Sequence, residues 1–293
     1  MLLEANSRIM VQGITGREAS EMVEQMLAYD SCIVAGVTPG KAGQQVHGVP
    51  VFDTIAQAVE SHHPDITIVS VPPPAVLDAA LEAIVHGMKL CLIMTERVPI
   101  ADSCRIQCAA SAAGCTVIGP NSLGLIRPGV AKLGTIGGRI DNVKRSFMPG
   151  HVAILSRSGG MTTEIASFLT SHGIGQSIAI GIGGDRILGS TYVDLVPMLE
   201  NDPSTNAIVI FGEPGGTAEE QLAAYLQKHG TKKPITAFLA GRFVDELEGV
   251  RFGHAAVMVE HGIGSVRSKT ESLRHANVFV AEAFDDILQK VSP

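Results

Sequence analysis

Short runs of consecutive apolar residues alternate along this chain with longer stretches in which apolar positions recur every three or four residues. Ile9 to Gln12, Cys32 to Val37, Ile66 to Val71, Leu90 to Met94 and Thr116 to Ile118 read as strands. Between them Glu18 to Tyr29, Thr54 to Ser61, Val76 to Gly87 and Ile100 to Ala113 read as helices. Strands apolar at nearly every position, separated by amphipathic helices, indicate βαβ units and a parallel sheet covered on both faces. Residues 1–126 are therefore expected to form a Rossmann-like wound domain. From Arg127 to Gly150 glycine, proline and scattered charge replace any helical or strand period, and 127–150 is read as a linker.

A second wound unit follows over 151–293. Its strands are Val152 to Leu155, Gln176 to Ile180, Ala207 to Phe211 and Ile235 to Leu239, and its helices Met161 to His172, Val193 to Glu200 and Ala218 to Lys228. That succession predicts a flavodoxin-like domain. The fold class is thus α/β with two wound domains, in keeping with 293 residues, which exceed a comfortable single core.

Composition narrows the function classes. With 45% hydrophobic and 17% charged residues the chain reads as a soluble globular protein. A net charge of -7 without a long like-charge run speaks against nucleic acid as the main partner. The five cysteines, at 32, 91, 104, 108 and 115, form no CxxC pair, as expected in a reducing compartment, and the cytoplasm is the expected location. Cys104 and Cys108 are assigned to a helix core, and no metal site is expected. Neither a signal peptide nor an apolar run of about 18 residues is evident, so no membrane partner is expected.

Two turns of the first domain suit phosphate. Val11-Gln12-Gly13-Ile14-Thr15-Gly16 closes a strand and opens a helix, where free N–H groups and the helix dipole favour an anion. The next strand ends in Gly36-Val37-Thr38-Pro39-Gly40-Lys41, which adds a cation at the same sheet edge. Val71-Pro72-Pro73-Pro74 is extended and poor in N–H donors, fit to wall an apolar slot. Met94-Thr95-Glu96 and Gly119-Pro120-Asn121-Ser122 end the later strands at the same edge.

Three features of the second domain carry chemistry. Ser156-Arg157-Ser158-Gly159-Gly160 forms a nest before a helix, suited to a phosphoryl group. Gly212-Glu213-Pro214-Gly215-Gly216 sets a carboxylate at a strand end, and Gly253-His254-Ala255-Ala256 sets one of ten histidines among small residues. A histidine accepts a phosphoryl group on one ring nitrogen when a carboxylate fixes the other. Glu213 is expected to fix His254, with the 156–160 nest holding the phosphate.

The strings QGITG, GVTPGK, MTE, IGPNS, SRSGG, GIGGD, GEPGG and GHA occur in an order and spacing that resembles the alpha subunit of succinyl-CoA synthetase. Its relatives include malate-CoA ligase and ADP-forming acyl-CoA synthetase chains, and the resemblance covers nearly the whole chain. It implies an N-terminal CoA-binding domain followed by a ligase domain. It implies that Thr15, Gly16, Arg17, Glu18, Lys41, Met94, Thr95 and Glu96 contact CoA, and Pro72 in the apolar slot is counted with them as cofactor-binding. It also implies that His254 is the transient phosphohistidine, with Glu213 as its partner and Ser156 and Ser158 at the phosphate-binding helix. An ATP-grasp beta subunit is implied as the partner that binds ATP or GTP with Mg2+, in a heterodimer or a pair of heterodimers.

The sequence departs from the family pattern near the acid. Thr163, in SRSGGMTTE, stands where succinyl-CoA synthetases typically carry tyrosine, and with Gly159 and Gly160 it is expected to face the substrate. Ser122 replaces the usual cysteine, and Ala240 to Glu246 replaces another typical run. A short carboxylic acid other than succinate is a candidate, such as malate or a sulfonated or hydroxylated acid, with Arg97 or Arg242 meeting a second anionic group. Two alternatives are an NAD-dependent oxidoreductase and a non-catalytic CoA-binding regulatory module. The first lacks a GxGxxG turn and an acidic residue after Val37; the second is opposed by the intact His254 and Glu213.

Overall fold

Four residues buried in succession, Ile9 to Gln12, form strand β1, and every later element of the first unit is arranged around it. The computed structural model describes residues 2–241 and 264–291; His254 and Arg242 lie outside the described residues. The chain forms two units, Met1–Val143 with Ile187–Ser190, and Lys144–Arg186 with Thr191–Pro293.

In the first unit β1 (Ile9–Gln12) leads into α1 (Arg17–Leu27), followed by β2 (Ile33–Val37), β3 (Gln45–Val46), β4 (Val49–Phe52) and α2 (Ile55–His62). Then come β5 (Ile66–Val69), α3 (Val76–Val85), β6 (Leu90–Ile93), α4 (Ile100–Ala113) and β7 (Thr116–Ile118). The sheet order is β3-β4-β2-β1-β5-β6-β7, parallel except for the β3–β4 hairpin. Leaving out β3, this is the strand order of a Rossmann fold. Helix α1 forms because Ala19, Met22, Val23 and Met26 recur at helical spacing and lie buried. Burying each of Met22, Val23 and Met26 contributes about 1.5–3 kcal/mol.

The segment read as a linker is structured. It contains the end of β8 (Gly124–Arg127), all of β9 (Ala131–Gly134) and α5 (Ile140–Ser146), and β10 begins at Pro149. β8 and β9 pair antiparallel, and Ser31 clasps β9 by exchanging hydrogen bonds with the Lys132 backbone at 2.8 and 3.0 Å. Glycines at positive φ at 124, 129 and 134 break the alternation that would have marked the hairpin. The assignment of Cys104 and Cys108 to a helix core is also corrected. Ser103, Ile106 and Ala110 supply the buried stripe of α4, and both cysteines lie on the exposed side.

In the second unit β10 (Pro149–Ser156) is followed by α6 (Gly159–Ser171), β11 (Gln176–Gly181), α7 (Tyr192–Glu200), β12 (Ala207–Gly212) and α8 (Ala218–His229). β13 (Ile235–Leu239), α9 (Val266–His275), β14 (Phe279–Ala281) and a 3-10 helix, Phe284–Lys290, complete it. Its parallel strands run β11-β10-β12-β13-β14, the flavodoxin-like order. Among the described residues no helix is long and apolar enough to cross a membrane.

Candidate functional site

Each unit offers a crevice where the chain departs first to one side of its central strand and then to the other. In the first unit β1 pairs with β2 on one flank and β5 on the other, so the turns after β1 and β5 diverge at the carboxyl ends. Gly13 sits at φ +77, and a Cβ there would stand 2.2 Å from the Ser70 backbone oxygen. Only glycine lets the two turns approach so closely. Gly16 caps α1 without a side-chain hydrogen bond, leaving the N–H groups of the first turn to an anion.

A cleft of about 760 Å³ opens here. Gly16, Arg17, Glu18, Pro72, Met94, Thr95 and Glu96, all picked from the sequence, line it. Thr15 and Lys41 are not among the lining residues. The Thr15 hydroxyl lies 3.3 Å from that of Thr38, and exposed Lys41 uses its backbone N–H to reach Asp53 Oδ1 at 2.9 Å. The Thr95 hydroxyl donates to the Val71 carbonyl at 2.7 Å, joining the β5 and β6 turns. Ser70, Leu123 and Thr135 also line the cleft, and sequence reasoning gave them no role. Thr135 was hidden by the misread 127–150 segment. Arg97 reaches the cleft rim with a backbone φ of 57°, an unusual conformation for a side-chain-bearing residue that recurs at functional sites.

In the second unit β10 lies between β11 and β12, which brings the turn after β10 beside the turn after β12. The Ser156 hydroxyl donates to the Ser158 carbonyl at 2.7 Å and accepts from the Ser158 N–H at 3.1 Å. Ser158 Oγ accepts from the Met161 N–H at 3.4 Å and caps α6. Both hydroxyls thus shape the turn, and the anion-binding capacity falls to the N–H groups of Gly159 and Gly160 at the helix start. Thr163 lies half-buried in the first turns of α6.

Across from this turn Glu213 follows β12, its side chain 12% exposed. Arg157 Nε stands 3.5 Å from Glu213 Oε1, and Arg157 Nη2 donates to the Asp185 carbonyl at 3.3 Å. Behind the loop, fully buried Lys269 pairs with fully buried Glu219 and donates to the Gly215 carbonyl at 2.8 Å. Tyr192 donates to the Phe211 carbonyl at 2.6 Å; burial, with Glu219 nearby, holds its hydroxyl well above the usual tyrosine range. Asp185 was noted only as the end of the GIGGD string, and Lys269, Glu219 and Tyr192 were not picked from the sequence. The one available signal was a charge at helical spacing within an apolar stripe, as at Lys269 between Val266 and Leu273.

Described residues on both sides of 242–263 bond at the Glu213 loop. The Ala240 N–H donates to the Gly212 carbonyl at 3.1 Å, and the Gly215 N–H donates to the Gly264 carbonyl at 2.8 Å. A Cβ on Gly264, at φ +74, would stand 2.6 Å from the Gly216 oxygen, so Gly264 also fits closely against the loop.

Comparison with known proteins agrees with this division of labour. The family profile described as CoA binding domain matches residues 4–97, and that described as CoA-ligase matches residues 155–279. The chain is therefore of the CoA-ligase class, a Rossmann-like CoA-binding domain followed by a flavodoxin-like ligase domain. It is 42% identical over 291 residues to the succinate–CoA ligase [ADP-forming] subunit alpha of Methanothermobacter thermautotrophicus, covering 99% of this chain and 96% of that one. The chain belongs to the succinate–CoA ligase alpha-subunit family. It is also 38% identical over 282 residues to the ADP-forming sulfoacetate-CoA ligase subunit SauD of Bilophila wadsworthia, covering 96% of this chain and 94% of that one. Among solved structures, ATP citrate lyase from Methanothrix soehngenii in complex with citrate and coenzyme A superposes with a TM-score of 0.92 at 25% identity. That match covers 99% of this chain and 50% of the lyase chain.

Proposed function

We propose that this chain is the CoA-binding alpha subunit of a nucleotide-dependent acid-CoA ligase that works through a phosphohistidine at His254. The observation that carries the reading is the tethering of Ala240 and Gly264, on either side of the His254 segment, to the loop that holds Glu213. The two described residues that flank the stretch carrying His254 thus both bond beside the carboxylate, which supports pairing the histidine with Glu213. Glu213 accepts a hydrogen bond from one imidazole nitrogen and leaves the other nucleophilic.

An ATP-grasp beta subunit supplies ATP or GTP with Mg2+. The nucleophilic nitrogen of His254 takes the γ-phosphoryl group as the bond to the nucleoside diphosphate breaks. The N–H groups at the start of α6 compensate the phosphoryl charge. An oxygen of the acid then attacks phosphorus, the N–P bond breaks and an acyl phosphate forms. CoA is a substrate whose thiol attacks the acyl carbon; phosphate leaves and the thioester remains.

The first crevice fits such a substrate. Its uncapped helix start and close-packed Gly13 turn suit phosphate groups, while Val71, Pro72 and Met94 offer apolar walls. Thr15 and Lys41 extend the CoA-binding set beyond the cleft. The acid is a short carboxylate, succinate-like, with malate or a sulfonated or hydroxylated acid favoured by Thr163, and with Gly159 and Gly160 facing it. The sulfoacetate-CoA ligase relative supports a sulfonated acid within this framework.

The test is to incubate the chain and its partner subunit with γ-labelled ATP or GTP and measure acid-labile phosphate on wild type and His254→Asn. Label on wild type alone, discharged by one acid of a carboxylate panel together with CoA, is the expected result. An unlabelled wild type beside an active partner would overturn the reading.

A further inference from the structure

Arg157 lies between the two serines of the β10–α6 turn and is 5% exposed. Burying a guanidinium is costly unless its charge and its N–H groups find partners. Its Nη2 donates to the Asp185 carbonyl at 3.3 Å. Its Nε points at Glu213, 3.5 Å from Oε1, yet finds no hydrogen-bond acceptor among the described residues. A Cβ on Gly216 would stand 3.9 Å from Arg157 Nη1, so the guanidinium runs along the loop from Glu213 to Gly216. Its backbone N–H donates to Phe211 at 3.3 Å, fixing the turn to the end of β12. The other buried cation of this crevice, Lys269, is paired with Glu219 and addresses Gly215 instead.

We infer that Arg157 is a positioning residue that aims Glu213, which rests on the phosphohistidine reading above. The guanidinium stands against one carboxylate oxygen of Glu213 and so fixes the direction of the other, which the proposed histidine chemistry needs. A planar fork can hold the Asp185 carbonyl and the Glu213 carboxylate together, which a lysine ammonium on the same turn does less well. The charge within the serine and glycine nest thereby acts on the carboxylate of the neighbouring loop.

The experiment follows single-turnover labelling of His254 from γ-labelled nucleotide in the complete complex. The variants are Arg157→Met, Arg157→Lys, Glu213→Gln and the double variant Arg157→Met with Glu213→Gln. Misplacing a reacting group by about 1 Å costs on the order of a hundredfold, and Arg157→Met is expected to slow labelling by about that factor. Arg157→Lys should restore part of the rate. The double variant should label no more slowly than Glu213→Gln alone, because Arg157 acts through that carboxylate. Wild-type labelling rates in Arg157→Met, or losses that multiply in the double variant, would overturn the inference and leave the phosphohistidine standing. Wild type that takes no label would remove both. If Arg157→Met fails to fold, Arg157→Lys and the charge-neutral double variant carry the same comparison.

Discussion

The two units share a plan but place their charges differently. Each opens a crevice beside its first parallel strand, with a glycine turn leading into a helix on one side and a proline-containing turn on the other. In the first, the charged residues Arg17, Glu18, Glu96 and Arg97 stand at the exposed rim and the closest approaches are backbone. In the second, Arg157 and Glu213 stand within the crevice, with Lys269 and Glu219 buried behind it. One crevice is suited to hold a ligand that is polar at one end, and the other to move charge. The contrast extends to the buried lysines. Lys269 has a carboxylate and a carbonyl, whereas Lys132, equally inaccessible, donates to the Gly134 carbonyl at 2.6 Å and has no carboxylate partner among the described residues.

The largest effect expected from this contrast is on Lys269→Met. It strands Glu219 in the interior, and breaking a buried pair costs about 3–5 kcal/mol. Adding Glu219→Leu should recover most of that loss, since an apolar pair of similar volume has no charge to desolvate. Urea unfolding of both variants checks it. A single variant as stable as wild type would show that the pair does not shield the interior as the geometry indicates.

Lys132→Met should go the other way. Burial pulls its amine from 10.5 down to about 8. Between about pH 8 and 10.5 the unfolded chain therefore binds more protons than the folded one, and stability rises with pH across that window. Below it the shortfall is complete, and at about 1.4 kcal/mol per pH unit the amine costs roughly 3 kcal/mol there. Lys132→Met should be more stable than wild type at pH 7 by up to about that amount, with the gap closing towards pH 10.5. Thermal melts across that range read it directly. A gap independent of pH would place the effect in packing instead.

How much of this was legible in the sequence follows the same division. β1, β5, β10 and β12 are apolar runs whose turn residues mark their ends, so both central strands and their loops were found to within a few residues. Gly16, Glu213 and Ser158 sit at the turns after β1, β12 and β10, and Glu96 after β6, where the sequence reading placed them. The β8–β9 hairpin was missed because Gly124, Gly129 and Gly134 occupy positive φ and leave too few side chains to show a period. Thr135 went with it. Lys269 and Glu219 were missed for another reason, since each looks like a solvated helix charge until the fold brings α8 and α9 together around the Glu213 loop.

The smallest effects come from the two helix starts. Ser158 caps α6, and Ser158→Ala should cost about 1 kcal/mol through the lost acceptor for the Met161 N–H. Gly16 leaves α1 without such an acceptor, and its φ of -67° and ψ of 148° admit a serine. Gly16→Ser should change stability by only a few tenths of a kcal/mol, because glycine and serine differ little as caps. Its hydroxyl would nonetheless compete for the N–H groups that an anionic ligand needs. The added Cβ would also press on the Gly13 carbonyl at 3.2 Å, beside the close approach of Gly13 to the Ser70 backbone. CoA affinity measured by calorimetry should therefore fall several-fold while the melting temperature hardly moves. Unchanged affinity would mean that the open helix start of the first crevice is not where the phosphates sit, and the likeness between the two crevices would end at their topology.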